Sequence, residues 1–183
     1  MSTDLTAAKK ILVRAPNWVG DVVLSLPALD KLRQRFPAAQ LVILARREVA
    51  DLYLRRPDVN HVLVFDHRGT HRGWTGLLRL AAELRAEQFD LAVLFQNAFQ
   101  AALLAWLARI PERGGYARDG RGPLLTRAIP VPRAGETPAH EAYYYLELLC
   151  RAGWLAALPK VERIRLAAPA RAAVEQMRLR LRE

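Results

Sequence analysis

Four short apolar runs, Ile11-Leu12-Val13, Leu41-Val42-Ile43-Leu44, Val62-Leu63-Val64-Phe65 and Leu91-Ala92-Val93-Leu94-Phe95, are separated by stretches whose apolar residues recur at helical spacing. Leu41-Val42-Ile43-Leu44 shows no alternation of polar with apolar, which is the pattern of a strand buried on both faces. Helices are expected over Val22 to Phe36 (Val23, Leu26, Leu29, Leu32), Arg47 to Arg55 with Pro57 as the stop, Trp74 to Glu87 (Leu77, Leu80, Ala81, Leu84) and Phe99 to Ala108. Repeated strand-helix units leave one economical solution, an α/β fold with a parallel, doubly wound, Rossmann-like sheet and right-handed crossovers. A length of 183 residues with 52% hydrophobic content suits a single compact domain.

In such a sheet ligands bind beyond the carboxyl ends of the strands, and the first strand-helix turn is well placed for it. Here that turn is Arg14-Ala15-Pro16-Asn17-Trp18-Val19-Gly20-Asp21. Pro16 fixes the exit from the strand, and Gly20 permits positive φ or a close backbone approach. Asp21, at the helix start, reads either as an N-cap or first-turn acid or as a general base taking a proton from a bound hydroxyl. Local physics leaves both open, because a dipole that lowers the pKa also weakens the base. Trp18 reads as a stacking platform for a sugar or as packing for the turn. Asn97, just past the fourth run, is either an amide that orients a hydroxyl or a turn residue.

Residues 111–139 contain Gly114-Gly115, Gly120, Gly122, Pro123, Pro130 and Pro132, so a loop-rich segment is expected with one short strand at 128–131. Loops of this length often carry function. Tyr116, Arg118 and Arg121 are candidates there for sugar hydroxyls or an anionic group, against the alternative of a solvated basic loop. His140-Glu141 is expected to open a helix that runs through Ala152 to Gly153, with His140 at the helix start or facing the cleft. A further strand is expected over Val161 to Leu166 and a charged helix over Pro169 to Glu183, where Val174, Met177 and Leu181 recur.

Asn17-Trp18-Val19-Gly20-Asp21, followed by Pro27 and a Leu-rich helix, resembles the N-terminal motif of the bacterial lipopolysaccharide heptosyltransferases, the ADP-heptose-dependent members of glycosyltransferase family 9. Gln96-Asn97-Ala98-Phe99-Gln100-Ala101-Ala102-Leu103 is similar to that family's segment after the fourth strand. The stretch from Ile110-Pro111-Glu112-Arg113-Gly114-Gly115-Tyr116 to Thr126 is similar to the loop that follows in the heptosyltransferase II branch. The resemblance covers most of residues 9 to 150. It implies the N-terminal, acceptor-side half of a GT-B enzyme, divided here as a flexible 1–8, a Rossmann-like domain over 9–166, and a helical segment 167–183 leading to an absent donor-binding domain. It also implies an inverting, metal-independent heptose transfer with Asp21 as general base and Asn17, Trp18, Gly20, Asn97, Tyr116, Arg118, Arg121 and His140 on the substrate. No cofactor is implied beyond ADP-heptose as donor. The implied acceptor is the anionic inner core of lipopolysaccharide, met at the membrane surface.

The net charge of +10 raises the possibility of nucleic-acid binding. All but four of the 28 Lys and Arg residues are arginine, a skew that looks like coding bias, and no zinc-finger spacing or recognition-helix motif accompanies it. An acidic glycolipid would exploit the same charge. The G-x-G-x-x-G fingerprint is absent and the second run ends in Arg46-Arg47 without an acid for a ribose, which argues against a nicotinamide enzyme. His67 and His71 have metal-site spacing, but Gly69 lies between them and no third ligand is evident. Absence of a leader pattern and of a run near 20 apolar residues, with the single Cys150 expected as an inert buried thiol, leads to a cytoplasmic expectation, at the inner face of the inner membrane. A non-catalytic carbohydrate-binding module and a basic phosphate- or nucleic-acid-binding Rossmann-like domain are the competing readings.

Overall fold

The computed structural model describes residues 8–166, so the expectations for 1–7 and for a helix over 169–183 lie outside the described residues. Strand β1 (Lys10–Arg14) is central, with β2 (Gln40–Arg46) and then β3 (His61–Phe65) on one side. On its other side lie β4 (Leu91–Leu94), β5 (Glu112–Tyr116) and β6 (Arg127–Ile129). Every pairing is parallel, with Val13 opposite both Ile43 and Val93. The order 3-2-1-4-5-6 reverses direction between β1 and β4, and that reversal opens a crevice at their carboxyl ends.

Helices α1 (Val19–Arg35) and α5 (Ala142–Arg151) pack on one face of the sheet. Helices α3 (Gly73–Ala86) and α4 (Phe99–Leu107) pack on the other, and the short α2 (Arg47–Ala50) follows β2. Successive strand residues therefore enter different cores: Ile11 and Val13 join the α1/α5 side, Leu12 and Leu44 the α3/α4 side. This two-sided burial explains the unbroken apolar runs. No helix among the described residues is long and apolar enough to cross a membrane.

Several boundaries differ from expectation. α1 begins at Val19 rather than Val22, so Trp18 and not Asp21 is the N-cap. α2 ends at Ala50 and continues as turns through Arg55, in which Tyr53 is driven into the core. Residues 161–166 form no strand; Val161 and Ile164 instead pack against the α1/α5 core, three residues apart where a strand face needs two. Cys150 is only partly buried on α5, and that burial pushes its thiol up, keeping it in its less reactive protonated form.

β5 is a strand where the sequence suggested only loop. Its two glycines serve opposite faces of the sheet. A Cβ on Gly114 would come within 2.3 Å of the Trp154 indole, and one on Gly115 within 3.1 Å of an Arg121 guanidinium nitrogen. Glycine in this strand marks close approach of two large side chains. Gly114→Ala should therefore destabilise the domain by about 1–3 kcal/mol, because Trp154 is fully buried and has nowhere to move. Thermal unfolding of the variant beside wild type measures this, and an unchanged midpoint would contradict the packing.

Candidate active site

Two buried arginines build the crevice floor at the switch point. The Arg14 guanidinium, at the end of β1, donates to the carbonyls of Ala15 (2.6 Å) and Leu44 (3.2 Å) and to Asn17 Oδ1 (2.8 Å). Arg121 reaches the end of β4 from the opposite side, donating to the Tyr116 carbonyl (2.7 Å), the Gln96 carbonyl and Asn97 Oδ1 (3.1 Å). Each asparagine that follows a central strand thus has its oxygen held by a guanidinium. Burial pulls Arg14 down to about 9, with the Arg46 charge adding to it, and pulls Arg121 down to about 10. Both stay charged at neutral pH and lend positive potential to the crevice.

Asp21 occupies the third position of α1, where the helix dipole favours a carboxylate. It is partly exposed, no side chain caps the helix, and its carboxylate makes no hydrogen bond or ion pair within the described residues. Burial, and next the Asp21 carboxylate, push the Tyr145 phenol on α5 up. Trp18 is 75% exposed beside it, so it does not pack the turn. Gly20 has neither positive φ nor a close neighbour: a Cβ there would meet nothing within 4 Å. The anticipated backbone role of Gly20 is therefore not required by the described residues, and the first turn of α1 is simply open.

The basic loop is reorganised relative to expectation. Arg121 is 0% exposed, so a direct contact with a ligand is replaced by a positioning role towards Asn97. Tyr116 is likewise buried, and its hydroxyl donates to the Tyr144 carbonyl at 2.6 Å rather than to a sugar. Arg118 remains exposed, 3.6 Å from Asp119, and its pKa is raised first by a side-chain hydrogen bond with Tyr144. His140 is exposed and its Nδ1 accepts the Ala142 N–H (3.1 Å), capping α5. It also lines a hollow of about 250 Å³ together with Tyr144 and residues 132–139.

Tyr144 and Tyr145 are the residues that sequence reasoning passed over. The Tyr144 hydroxyl accepts Asn97 Nδ2 (2.9 Å), and its ring lies 4.5 Å from Tyr116 and 5.5 Å from Tyr145, which in turn meets Phe95 at 5.5 Å. This aromatic row ties the end of β4 to α5 and to the side of Asp21. The signal was present: three of the five tyrosines in the chain are consecutive, Tyr143 to Tyr145. A larger hollow of about 740 Å³ lies along the later turns of α1, where Arg56 is paired with Asp30 and Asp58. The arrangement at the switch point, an unpaired carboxylate beside two fixed amides and an exposed indole, is suited to polyol recognition and proton abstraction.

Comparison with known proteins agrees with this fold. The profile of glycosyltransferase family 9 (heptosyltransferase) matches residues 77–173. Lipopolysaccharide heptosyltransferase 2 of Salmonella typhimurium is 34% identical over 121 residues, covering 65% of this chain and 34% of that protein. Its counterpart in Escherichia coli is 33% identical over 118 residues, covering 63% and 33%. A solved glycosyl transferase family 9 structure from Veillonella parvula superposes with a TM-score of 0.77 at 21% identity, over 92% of this chain and 47% of that one. The E. coli ADP-heptose lps heptosyltransferase II superposes with 0.70 at 23% identity, over 94% and 50%. The chain thus spans about a third of the curated relatives it matches and about half of the solved ones.

Proposed function

The chain belongs to glycosyltransferase family 9, and on that premise we propose that it is the acceptor-side lobe of an inverting transferase that moves heptose from ADP-heptose onto the lipopolysaccharide inner core. Residues 9–166 form this lobe, and a second, donor-binding lobe closes over the crevice. Asp21 is the general base: it takes the proton of the acceptor hydroxyl as that oxygen bonds to the anomeric carbon, while the bond from that carbon to the ADP phosphate breaks and ADP departs. Asn17 and Asn97, each fixed by a buried arginine, orient acceptor hydroxyls, and Trp18 offers an apolar sugar face a place to stack. The exposed Arg118 and His140 meet the anionic part of the core sugar.

The observation that carries this reading is the Asp21 carboxylate at the switch point of the sheet, which makes no hydrogen bond or ion pair among the described residues. Asp30, Asp58 and Glu147, by contrast, are each paired with an arginine. Two proteins test it: the 183-residue chain and the two-lobed protein with the full length of its relatives. With ADP-heptose and a delipidated inner-core acceptor, the two-lobed protein should release ADP only when acceptor is present. The 183-residue chain should fold, by circular dichroism, and release none. Robust turnover by the 183-residue chain would refute the two-lobe reading. Acceptor binding without turnover in the two-lobed protein would favour a carbohydrate-binding module.

A further inference from the structure

The outer surface of α3 and α4 has an unusual composition. α4 carries no charged residue over its nine positions, yet Phe99 and Trp106 are 45% and 49% exposed, with the half-buried Leu103 between them. On the neighbouring α3, Trp74 and Leu78, four residues apart, are 61% and 42% exposed. The two helices pack side by side on one face of the sheet, so these side chains share one side of the molecule. Exposed apolar surface of this kind, centred on tryptophans, marks an interaction site.

Charge decides the partner. Arg79, Arg85 and Arg109 are exposed on and beside these helices, and their side chains have no acidic partner within the described residues. The acids on α3 and just after it are held elsewhere: Glu83 lies 3.2 Å from His71 Nε2, and Glu87 pairs with Lys10. An apolar centre with a cationic surround matches the interface of an anionic bilayer, where tryptophan rings enter the headgroup boundary and arginines meet the lipid phosphates. A second copy of the chain fits less well, because a two-fold pairing would set Arg79 and Arg85 against like charges.

We propose that the α3/α4 face, from Trp74 to Trp106, docks on an anionic phospholipid surface. The proposal deepens the transferase reading and rests on it for the reason a bilayer is nearby. The N-termini of α3 and α4 lie at the carboxyl edge of the sheet, so docking through this face sets the mouth of the crevice beside the membrane, where a lipid-borne acceptor stands.

Vesicle flotation of the 183-residue chain tests it without any acceptor or donor. The chain should float with phosphatidylcholine vesicles containing phosphatidylglycerol, should not float with phosphatidylcholine alone, and should be released by salt. The double variant Leu78→Gln/Trp106→Gln, both at exposed positions, should lower the partition coefficient by about tenfold or more while leaving the circular dichroism spectrum unchanged. Arg79→Gln/Arg85→Gln should weaken binding to anionic vesicles by about tenfold and abolish the preference for phosphatidylglycerol. Equal flotation of wild type and the Leu78/Trp106 variant, or no flotation of the wild type, would overturn the proposal. So would a dimer in sedimentation equilibrium that the same variant dissolves, which assigns the face to a second copy. In the two-lobed protein the Leu78/Trp106 variant should transfer normally to a delipidated acceptor. Vesicle binding by the wild-type two-lobed protein without transfer to the delipidated acceptor would therefore count against the proposed reaction and not against docking.

Discussion

Asp21→Asn in the two-lobed protein is expected to lower kcat by a factor of about 10² to 10⁴, the usual contribution of a positioned general base. The substitution keeps the shape of the side chain and removes only its charge and basicity. Asp21 is partly exposed and makes no hydrogen bond or ion pair in the described residues, so folding loses little. The main cost is the favourable charge in the first turn of α1, about 0.3–1 kcal/mol. Turnover should thus collapse while the unfolding midpoint barely moves. KM for the acceptor should change little, because Asn retains the hydrogen-bonding oxygen that meets the hydroxyl. Near-normal kcat in steady-state ADP release would remove Asp21 from the chemistry and leave it a first-turn acid.

A second consequence of the same substitution is independent of catalysis. The Asp21 carboxylate is one of the groups that hold the Tyr145 phenol up, after burial itself. Removing the charge should therefore shift the Tyr145 titration downward, while burial keeps it above the ordinary tyrosine value. The sign follows from like charge, since a carboxylate disfavours a phenolate beside it. A titration of Tyr145 followed by NMR, unchanged between wild type and Asp21→Asn, would place the two groups further apart than the α1/α5 contact allows.

The architecture was legible because the runs at β1, β2 and β4 are buried on both sides, and that burial writes itself into the sequence as unbroken Val, Ile, Leu and Ala; the run at β3, on the sheet edge, is only partly buried. That the turn at Asn17 to Asp21 lies at the switch-point crevice was legible because the fold class says where that crevice opens. β5 was not, because its sequence, Glu-Arg-Gly-Gly-Tyr, has the composition of a loop. Only the three-dimensional structure supplies the two bulky neighbours, Trp154 and Arg121, that make glycine the residue that fits. For the same reason Arg121 read as a solvated ligand contact. Nothing local distinguishes an arginine that reaches solvent from one that turns inward to carbonyls 5 and 25 residues away. Tyr144 was hidden differently, being a helix residue whose partner, Asn97, lies 47 positions earlier.

Arg121→Met is expected to destabilise the fold by about 3 kcal/mol, the range seen when buried polar partners are orphaned. Methionine fills much of the same volume, so the loss comes from hydrogen bonding more than from a cavity. The Tyr116 carbonyl keeps the Arg118 N–H at 3.0 Å, but the part-buried Gln96 carbonyl and Asn97 Oδ1 lose their guanidinium donors. Arg121→Lys should recover little of this, because one ammonium on a flexible stem cannot match three acceptors set for a planar fork. Arg118→Ala serves as the contrast: that side chain is exposed, and its removal should cost about 0.5 kcal/mol or less. Urea unfolding of the three variants separates these outcomes. An Arg121→Met variant as stable as Arg118→Ala would mean that the guanidinium is not what holds the end of β4. In the two-lobed protein a conservative fold with a freed Asn97 should also show itself as a raised acceptor KM with kcat less affected, since Asn97 orients the sugar and Asp21 still takes the proton.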